Sequence, residues 1–564
     1  MAASVEATKL VAGAATSRPS RPLSPGWRLA ALAAAAAFIA PWRADAQTGS
    51  PIDRDRVDRQ QVELPPAIAA PDLPGAATRV DAGDATTTPI QGIRFEDTAV
   101  PAVVAQAAQA FIGRPATHEN LQALVAAMSR AYARSQIALF TVVIPAQDLS
   151  TGTVTVLVGE GHIEAVLLTG EVENRHLALV RAYADRLTRE RPTRRATLER
   201  YLSLIQDIPG LTVQPTLQMG EGPGGVRLVL TLDYRRPTLT LSFDNRTTRL
   251  VRDGVFQAAA RGYSLLRDGD ATELTASASA DFNDQLYFGM SHSTPLGTDG
   301  TRLAVNGGYI ATHAEGTGVT GEARTAGLTV SHPMLRSYRR SLTLSLGIDG
   351  IDSDNAAFGS LIASEHSRAV RAAATLAAAG TRRVVSGTAS ASRGLAALGA
   401  DVPADVGEEG FTKLAGRLSL DQAIGRRAAL RLRAAGQWTD DPLPAVERFS
   451  VGGLDFGRAF ETGLINADRG YATLGELAWR PFGAGPFARS EIYGFGDWSE
   501  LRLLPRGDSA GRDFDLASAG GGVRFAWTDR AMIELEYART VDRPYPGYAS
   551  DWRVSIGWRI SIRP

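Results

Sequence analysis

The chain has 564 residues, more than one compact domain usually holds, and its 60 basic and 60 acidic residues cancel. That balance excludes a nucleic-acid binder working through bulk charge. The absence of cysteine excludes thiolate metal sites, a cysteine nucleophile and disulfides. Lysine occurs only at Lys9 and Lys413, so the basic residues are almost all arginine.

The first predicted element is an export signal over residues 1–46. Arg18, Arg21 and Arg28 precede the apolar run Leu29 to Ala40, and Ala44-Asp45-Ala46 offers small residues for cleavage before Gln47. The run is too short to span a bilayer as a helix. Residues 47–87 are rich in Pro, Asp, Ala and Thr and read as a linker, with a short polar helix over Asp53 to Leu64.

Residues 88–158 form a small α/β unit. Ile90 to Phe95 is a strand, and Thr117 caps a helix that aligns Leu121, Leu124, Val125, Met128 and Tyr132. Phe140, Val142 and Ile144 alternate as a second strand, and the β-branched run Thr153 to Val158 is a third. Residues 159–236 repeat the plan. A strand over Ile163 to Leu168 precedes helices around Leu177–Leu187 and Leu198–Ile205, then a hairpin of Leu211–Leu217 and Val226–Leu232. The hairpin turn, Gly220 to Gly225, fits G-x-G-x-x-G, but a strand follows it where a dinucleotide site needs a helix.

From residue 237 to 564 period-two alternation replaces helical spacing. In the last strand Trp552, Val554, Ile556, Trp558, Ile560 and Ile562 alternate with Arg553, Ser555, Gly557, Arg559, Ser561 and Arg563. An apolar face beside a small, charged face suits a wall with lipid outside and water inside. No stretch is apolar enough for a membrane helix, so a membrane-spanning chain must span as a closed barrel. At roughly 20 residues per strand and connection the region holds about sixteen strands. The alanine-rich part from Val370 to Ala400 gives no readable register.

Val451 to Phe460 interrupts this texture. It combines Gly452, Gly453 and Gly457 with Arg458 set between Phe456 and Phe460. One reading is a loop folded back into the lumen with its charge held by a partner; the other is an ordinary hairpin with an exposed Arg. The seven histidines form no H-x-H or H-E-x-x-H pattern, and no G-x-S-x-G elbow occurs. The expectation is therefore no enzyme, no metal and no cofactor.

An ordered set of motifs carries a family resemblance. It comprises Ile144-Pro-Ala-Gln-Asp-Leu-Ser-Thr-Gly152, Val156-Leu-Val-Gly-Glu-Gly161 and Leu204-Ile-Gln-Asp-Ile-Pro-Gly210. Pro295-Leu-Gly297, His332-Pro-Met-Leu-Arg-Ser337, Phe411-Thr-Lys-Leu414 with Gln437, and Phe449-Ser-Val-Gly-Gly453 complete it. In this order they resemble the two-partner-secretion transporters of the haemolysin-activator and filamentous-haemagglutinin transporter type. The resemblance implies two polypeptide-transport-associated (POTRA) domains in the periplasm, over 88–158 and 159–236, and an outer-membrane β-barrel over 237–564. It implies that Arg458 meets Asp497, in Phe495-Gly496-Asp-Trp-Ser499, inside the barrel. Both motifs depart from the family pattern: the loop reads Gly457-Arg-Ala-Phe460 with its glycine moved, and the wall motif has Ser499 for a glycine. Pro564 stands where an aromatic residue commonly ends the last strand.

The implied partner is an exported protein with an N-terminal secretion domain, of haemolysin or adhesin type. It would add a strand to an exposed edge made by Phe140, Val142 and Ile144, beside Gln147 and Asp148. Lipid and the barrel-assembly machinery are further expected partners. An insertase of the same superfamily and an outer-membrane hydrolase are the alternatives.

Overall fold

The computed structural model describes residues 56–59, 78–81, 86–96, 99–170 and 177–563, apart from 223, 249, 252, 315–317 and 359. The signal segment lies outside the described residues. So does the predicted helix over 53–64, save for residues 56–59, which form a turn.

The first unit is a four-stranded sheet in the order β1-β3-β4-β2. Its strands are β1 (Thr78–Val80), β2 (Gly92–Glu96), β3 (Phe140–Ile144) and β4 (Thr153–Glu160). Helices α1 (Ala102–Gln109) and α2 (His118–Tyr132) pack on it. Thr117 Oγ1 accepts the Asn120 amide, so the predicted cap forms. The face holding Leu121, Leu124, Val125 and Met128 is fully buried. Helix α1, alanine-rich and entered through Pro101, is an addition to the sequence reading.

The second unit has strands β5 (His162–Gly170), β6 (Leu211–Met219) and β7 (Gly225–Tyr234) in the order β5-β7-β6, with α3 (Ala178–Leu187) and α4 (Arg195–Gln206). The G-x-G-x-x-G stretch is the β6–β7 hairpin turn.

Sixteen of the remaining strands close into one antiparallel barrel. Those running away from the α/β units are β8 (Thr238–Asp244), β10 (Ala271–Ser279), β12 (Arg302–Ala314), β14 (Arg340–Ala357), β16 (Arg383–Gly394), β18 (Ala428–Thr439), β22 (Glu491–Leu503) and β24 (Ala531–Asp542). Those returning are β9 (Val255–Tyr263), β11 (Gln285–Pro295), β13 (Val319–Arg336), β15 (Ser360–Ala379), β17 (Thr412–Ile424), β21 (Arg469–Trp479), β23 (Arg512–Trp527) and β25 (Trp552–Ile562). The last strand pairs with β8, Trp558 opposite Phe243, so no edge is left along the closed wall. The predicted alternation is realised. Val554, Ile556, Ile560 and Ile562 face outward and exposed, while Ser555 is buried on the inner side. No helix among the described residues is long and apolar enough to cross a membrane.

Two of the quoted motifs join the second unit to the barrel. Asp207 takes two bonds from the Arg336 guanidinium, at 2.6 and 2.8 Å. Arg200 donates to the carbonyls of Pro333 and Asp299, at 2.9 and 3.0 Å. The amide of Leu179, at the start of α3, donates to Asp268 of the β9–β10 turn at 2.8 Å. The helix end is thus capped from the barrel. Exchange of Asp207→Arg with Arg336→Asp is expected to restore most of what either single change loosens, about 1–3 kcal/mol. Spin-label distances between α4 and the β13–β14 turn check this: broad for each single variant and narrow for the exchange.

Candidate functional site: a charged loop and turn inside the barrel

The loop between β18 and β21 folds into the lumen. A two-strand hairpin, β19 (Phe449–Val451) and β20 (Ile465–Ala467), forms its stem. At its tip Phe456, Ala459 and Phe460 are buried, and Phe460 lies 5.5 Å from the Tyr548 ring. Gly452 makes the tight return possible. Its φ is +114° and a Cβ there would stand 2.1 Å from the Glu461 carbonyl oxygen. Gly453, at φ +104°, would meet Thr462.

Asp497 on β22 receives the tip. Its carboxylate accepts the Gly457 amide at 3.0 Å, the Arg458 amide at 3.3 Å and the Ser518 hydroxyl at 2.6 Å. Arg458 and Asp497 therefore meet, but through the loop's main chain. The guanidinium goes elsewhere: to Glu476 at 3.1 Å and Glu536 at 3.0 Å, with Nε donating to the Leu454 carbonyl. It lies over the Phe495 ring at 4.6 Å. Gly496 takes no part. It faces outward, and a side chain there would meet nothing within 4 Å.

Glu476 and Glu536 are absent from the sequence reading. Alternation in β21 and β24 does turn both inward, and an inward carboxylate in an arginine-rich chain signals an ion pair. They belong to a continuous lattice. Glu476 also binds Arg431 and Arg524, each at 2.7 Å, and Arg524 reaches Glu534 at 3.1 Å. Arg246 pairs with Glu536 at 3.3 Å and with Asp244 at 2.9 Å. Tyr493 donates to Glu534 and lies under the Arg524 guanidinium.

A second buried cluster stands at the loop's base. Residues 56–59 sit in the lumen against the turn Ala445–Glu447 and the wall. Arg56 binds Glu447 at 2.5 Å and Asp58 at 3.1 Å. Arg371 on β15 bonds to Asp349, Glu447 and Asp58, and Lys413 on β17 bonds to Glu447 at 2.6 Å and Asp58 at 3.0 Å. Gln437 donates to the carbonyls of Glu447 and Asp468. Lys413 and Gln437, quoted above as motif members, thus hold the loop's root.

The predicted partner-binding edge needs correction. β3 is an interior strand, because β1 pairs with it in parallel, Thr78 with Val142 and Val80 with Ile144. The side chains of Val142 and Ile144 point into the core, and Phe140 stacks on Tyr132 at 4.8 Å. Gln147 bonds to the backbone of Thr155 in both directions. Asp148 accepts the Ser150 amide, which holds its carboxyl below its ordinary value. Both residues shape the turn after β3. Among the described residues no three His, Asp or Glu side chains are placed to hold a metal ion.

A barrel with a charged loop and turn drawn into its lumen, and α/β units seated on one rim, is the architecture of POTRA-bearing transport barrels. The model of the family described as haemolysin secretion/activation protein ShlB/FhaC/HecB matches residues 224–525, and the ShlB-type POTRA model matches 88–161. The chain belongs to this family of two-partner-secretion transporters. It is similar to the heme/hemopexin transporter protein HuxB of Haemophilus influenzae strain 86-028NP, 21% identical over 77% of this chain and 79% of that one. Its fold is similar to that of CdiB from Escherichia coli, with TM-score 0.68 and 18% identity over 96% of this chain and 100% of that one. It is also similar in fold to BamA from Haemophilus ducreyi lacking POTRA domains 1–3, with TM-score 0.51 and 14% identity over 85% and 100%.

Arg458→Ala is expected to leave the barrel inserted while freeing the loop tip. Its buried carboxylates keep Arg431, Arg524 and Arg246, so the loss stays below the roughly 3–5 kcal/mol of an orphaned buried charge. Faster cleavage within 452–463 by added protease, with unchanged heat-modifiable migration of the barrel, checks it. Exchange of Arg458→Asp with Asp497→Arg is expected to recover nothing, because the two side-chain charges are not paired with each other.

Proposed function

We propose that this chain resides in the outer membrane with its POTRA units in the periplasm, where it captures an unfolded exported partner and passes it through the barrel to the cell surface. The observation that carries this reading is the filling of the lumen. The described residues that block it are a loop and a turn, both held by ion pairs and hydrogen bonds and neither part of the wall. Such a filling can be withdrawn without opening the barrel. The wall itself is inextensible, because every strand is bonded on both sides.

The periplasmic docking step runs through the first POTRA unit. An extended segment gains main-chain bonds by adding to a sheet edge. At β3 that place is held by β1, three residues of the chain's own linker. An incoming strand therefore competes with β1. The same linker carries the lumenal turn at 56–59, so displacing β1 and withdrawing that turn act on one stretch of the sequence. No nucleotide is available in the periplasm, and folding of the partner at the surface supplies the direction of travel. The partner we favour is a large exported protein of haemolysin or adhesin type with a secretion domain at its mature N-terminus. Barrel assembly places the chain in the lipid.

Deleting the chain in its own host and comparing exported proteins by mass spectrometry tests the assignment. Loss of one or a few large exported polypeptides, with outer-membrane proteins unchanged, is expected. General loss of outer-membrane barrels would favour the insertase reading instead.

A further inference from the structure

Strands β13, β14 and β15 have 18, 18 and 20 residues, well beyond the roughly 9–11 that cross a bilayer. Their outward rows mark where the membrane ends. Leu328, Ile348 and Val370 lie side by side, and the next row is Ala326, Gly350 and Arg368. Beyond it come Arg324, Asp352 and His366, then Glu322, Asp354 and Ser364. An apolar row followed by charged rows places the lipid boundary at Arg368. The eight residues before it, 360–367, carry the strand on by roughly 25 Å at about 3.3 Å per residue, which is roughly 20 Å above the lipid at the tilt of a barrel strand.

One side of this raised sheet lacks a paired strand at its tip. Strand β16 pairs with β15 only as far as Ala369. The loop after β16 continues the pairing to His366, whose amide and carbonyl both bond to Asp401. Past that point no described residue pairs with β15 on this side. Antiparallel alternation turns the Ser364 amide and carbonyl to the same open side as those of His366. The run Ser360-Leu-Ile-Ala-Ser364 contains no proline and no charge, the usual guards of an edge, and a bulge at Ile362 is the sole one present. Leu361 and Ile362 are 65% and 62% exposed.

We infer that this edge of β15 is a docking site at the exit of the barrel for the emerging, still extended partner polypeptide, which adds to it as a strand. The inference rests on the transport reading above. Continuity with the lumen selects this occupant over a second copy of the chain. Glu365, on the inner side of the same strand, accepts the amides of Ala445 and Val446 at 3.0 and 3.4 Å. That turn carries Glu447, the anchor of residues 56–59 and the root of the lumenal loop. A polypeptide that clears the loop emerges beside this edge with its backbone unpaired.

The natural lack of cysteine makes single-site labelling clean. The probe is the polypeptide whose export depends on this chain, stalled by a folded reporter at its C-terminus in whole cells. Benzophenone maleimide on Ser364→Cys is expected to give an adduct with it, and the same label on Glu322→Cys, on an interior strand of the sheet, is expected to give none. Ser364→Pro removes an amide turned away from β14, so the wall keeps its bonds. It is expected to slow the appearance of protease-resistant partner at the surface at least five-fold, while Ser364→Thr leaves the rate unchanged. Continued export with no adduct at Ser364→Cys, an adduct only with a second copy of the chain, or a Ser364→Pro rate equal to the parent's overturns the docking site and leaves the transport reading standing. Deletion of the chain with no exported polypeptide lost overturns both.

Discussion

A guanidinium taken out of water has to find carboxylates, and in this barrel that requirement holds the lumenal loop in place. Arg458 reaches Glu476 and Glu536 on strands at different points of the wall, and Phe495 closes over its face. Each carboxylate is shared with another arginine, so neither is left without a cation when Arg458 leaves. That sharing makes the loop releasable. A single isolated pair would strand a buried charge when broken, at a cost of several kcal/mol. A lattice of shared carboxylates keeps a cation on each of them instead.

The same logic recurs at the loop's base with the roles reversed. There Glu447, on the loop's root, and Asp58, on the linker turn, sit among three cations: Arg56, Arg371 and Lys413. Withdrawing the turn removes Arg56 and Asp58 together, and with them Arg59, whose guanidinium bonds to the carbonyls of Val446 and Arg448. Glu447 keeps Arg371 and Lys413 when the turn leaves, so no buried carboxylate of the cluster is orphaned. The two clusters hold the loop and the turn in the lumen without resting on a single isolated ion pair.

Much of this was legible in the sequence because a barrel wall must alternate. Strand β25 could be read residue by residue, the strand number followed from length, and the glycine-rich interruption at 451–460 stood out against the period-two background. The region from Val370 to Ala400 was illegible for a physical reason. Ala372, Ala374, Ala389 and Ala391 face outward while Ala373 and Ala377 face inward, so hydropathy carries no contrast there. Inward Arg371, Ser386, Thr388, Ser390 and Ser392 betray the parity. Strand β1 escaped notice because three residues have no periodicity; pairing with β3 makes them a strand. Composition gave residues 56–59 only as part of a short polar helix, because their burial depends on partners some 300 to 390 positions away. Lys413 did carry a signal, as the single lysine beyond residue 9.

The central claim is that the exported chain travels through the barrel's interior. Strand β16 measures it directly, because its neighbouring residues face opposite sides: Thr388, Ser390 and Ser392 inward, Ala389 and Ala391 outward. Photoreactive labels placed one at a time along this strand, with a partner stalled in transit, should cross-link to the partner at the inward positions and not at the outward ones. Adducts without that alternation, or confined to the outward row, would contradict passage through the lumen.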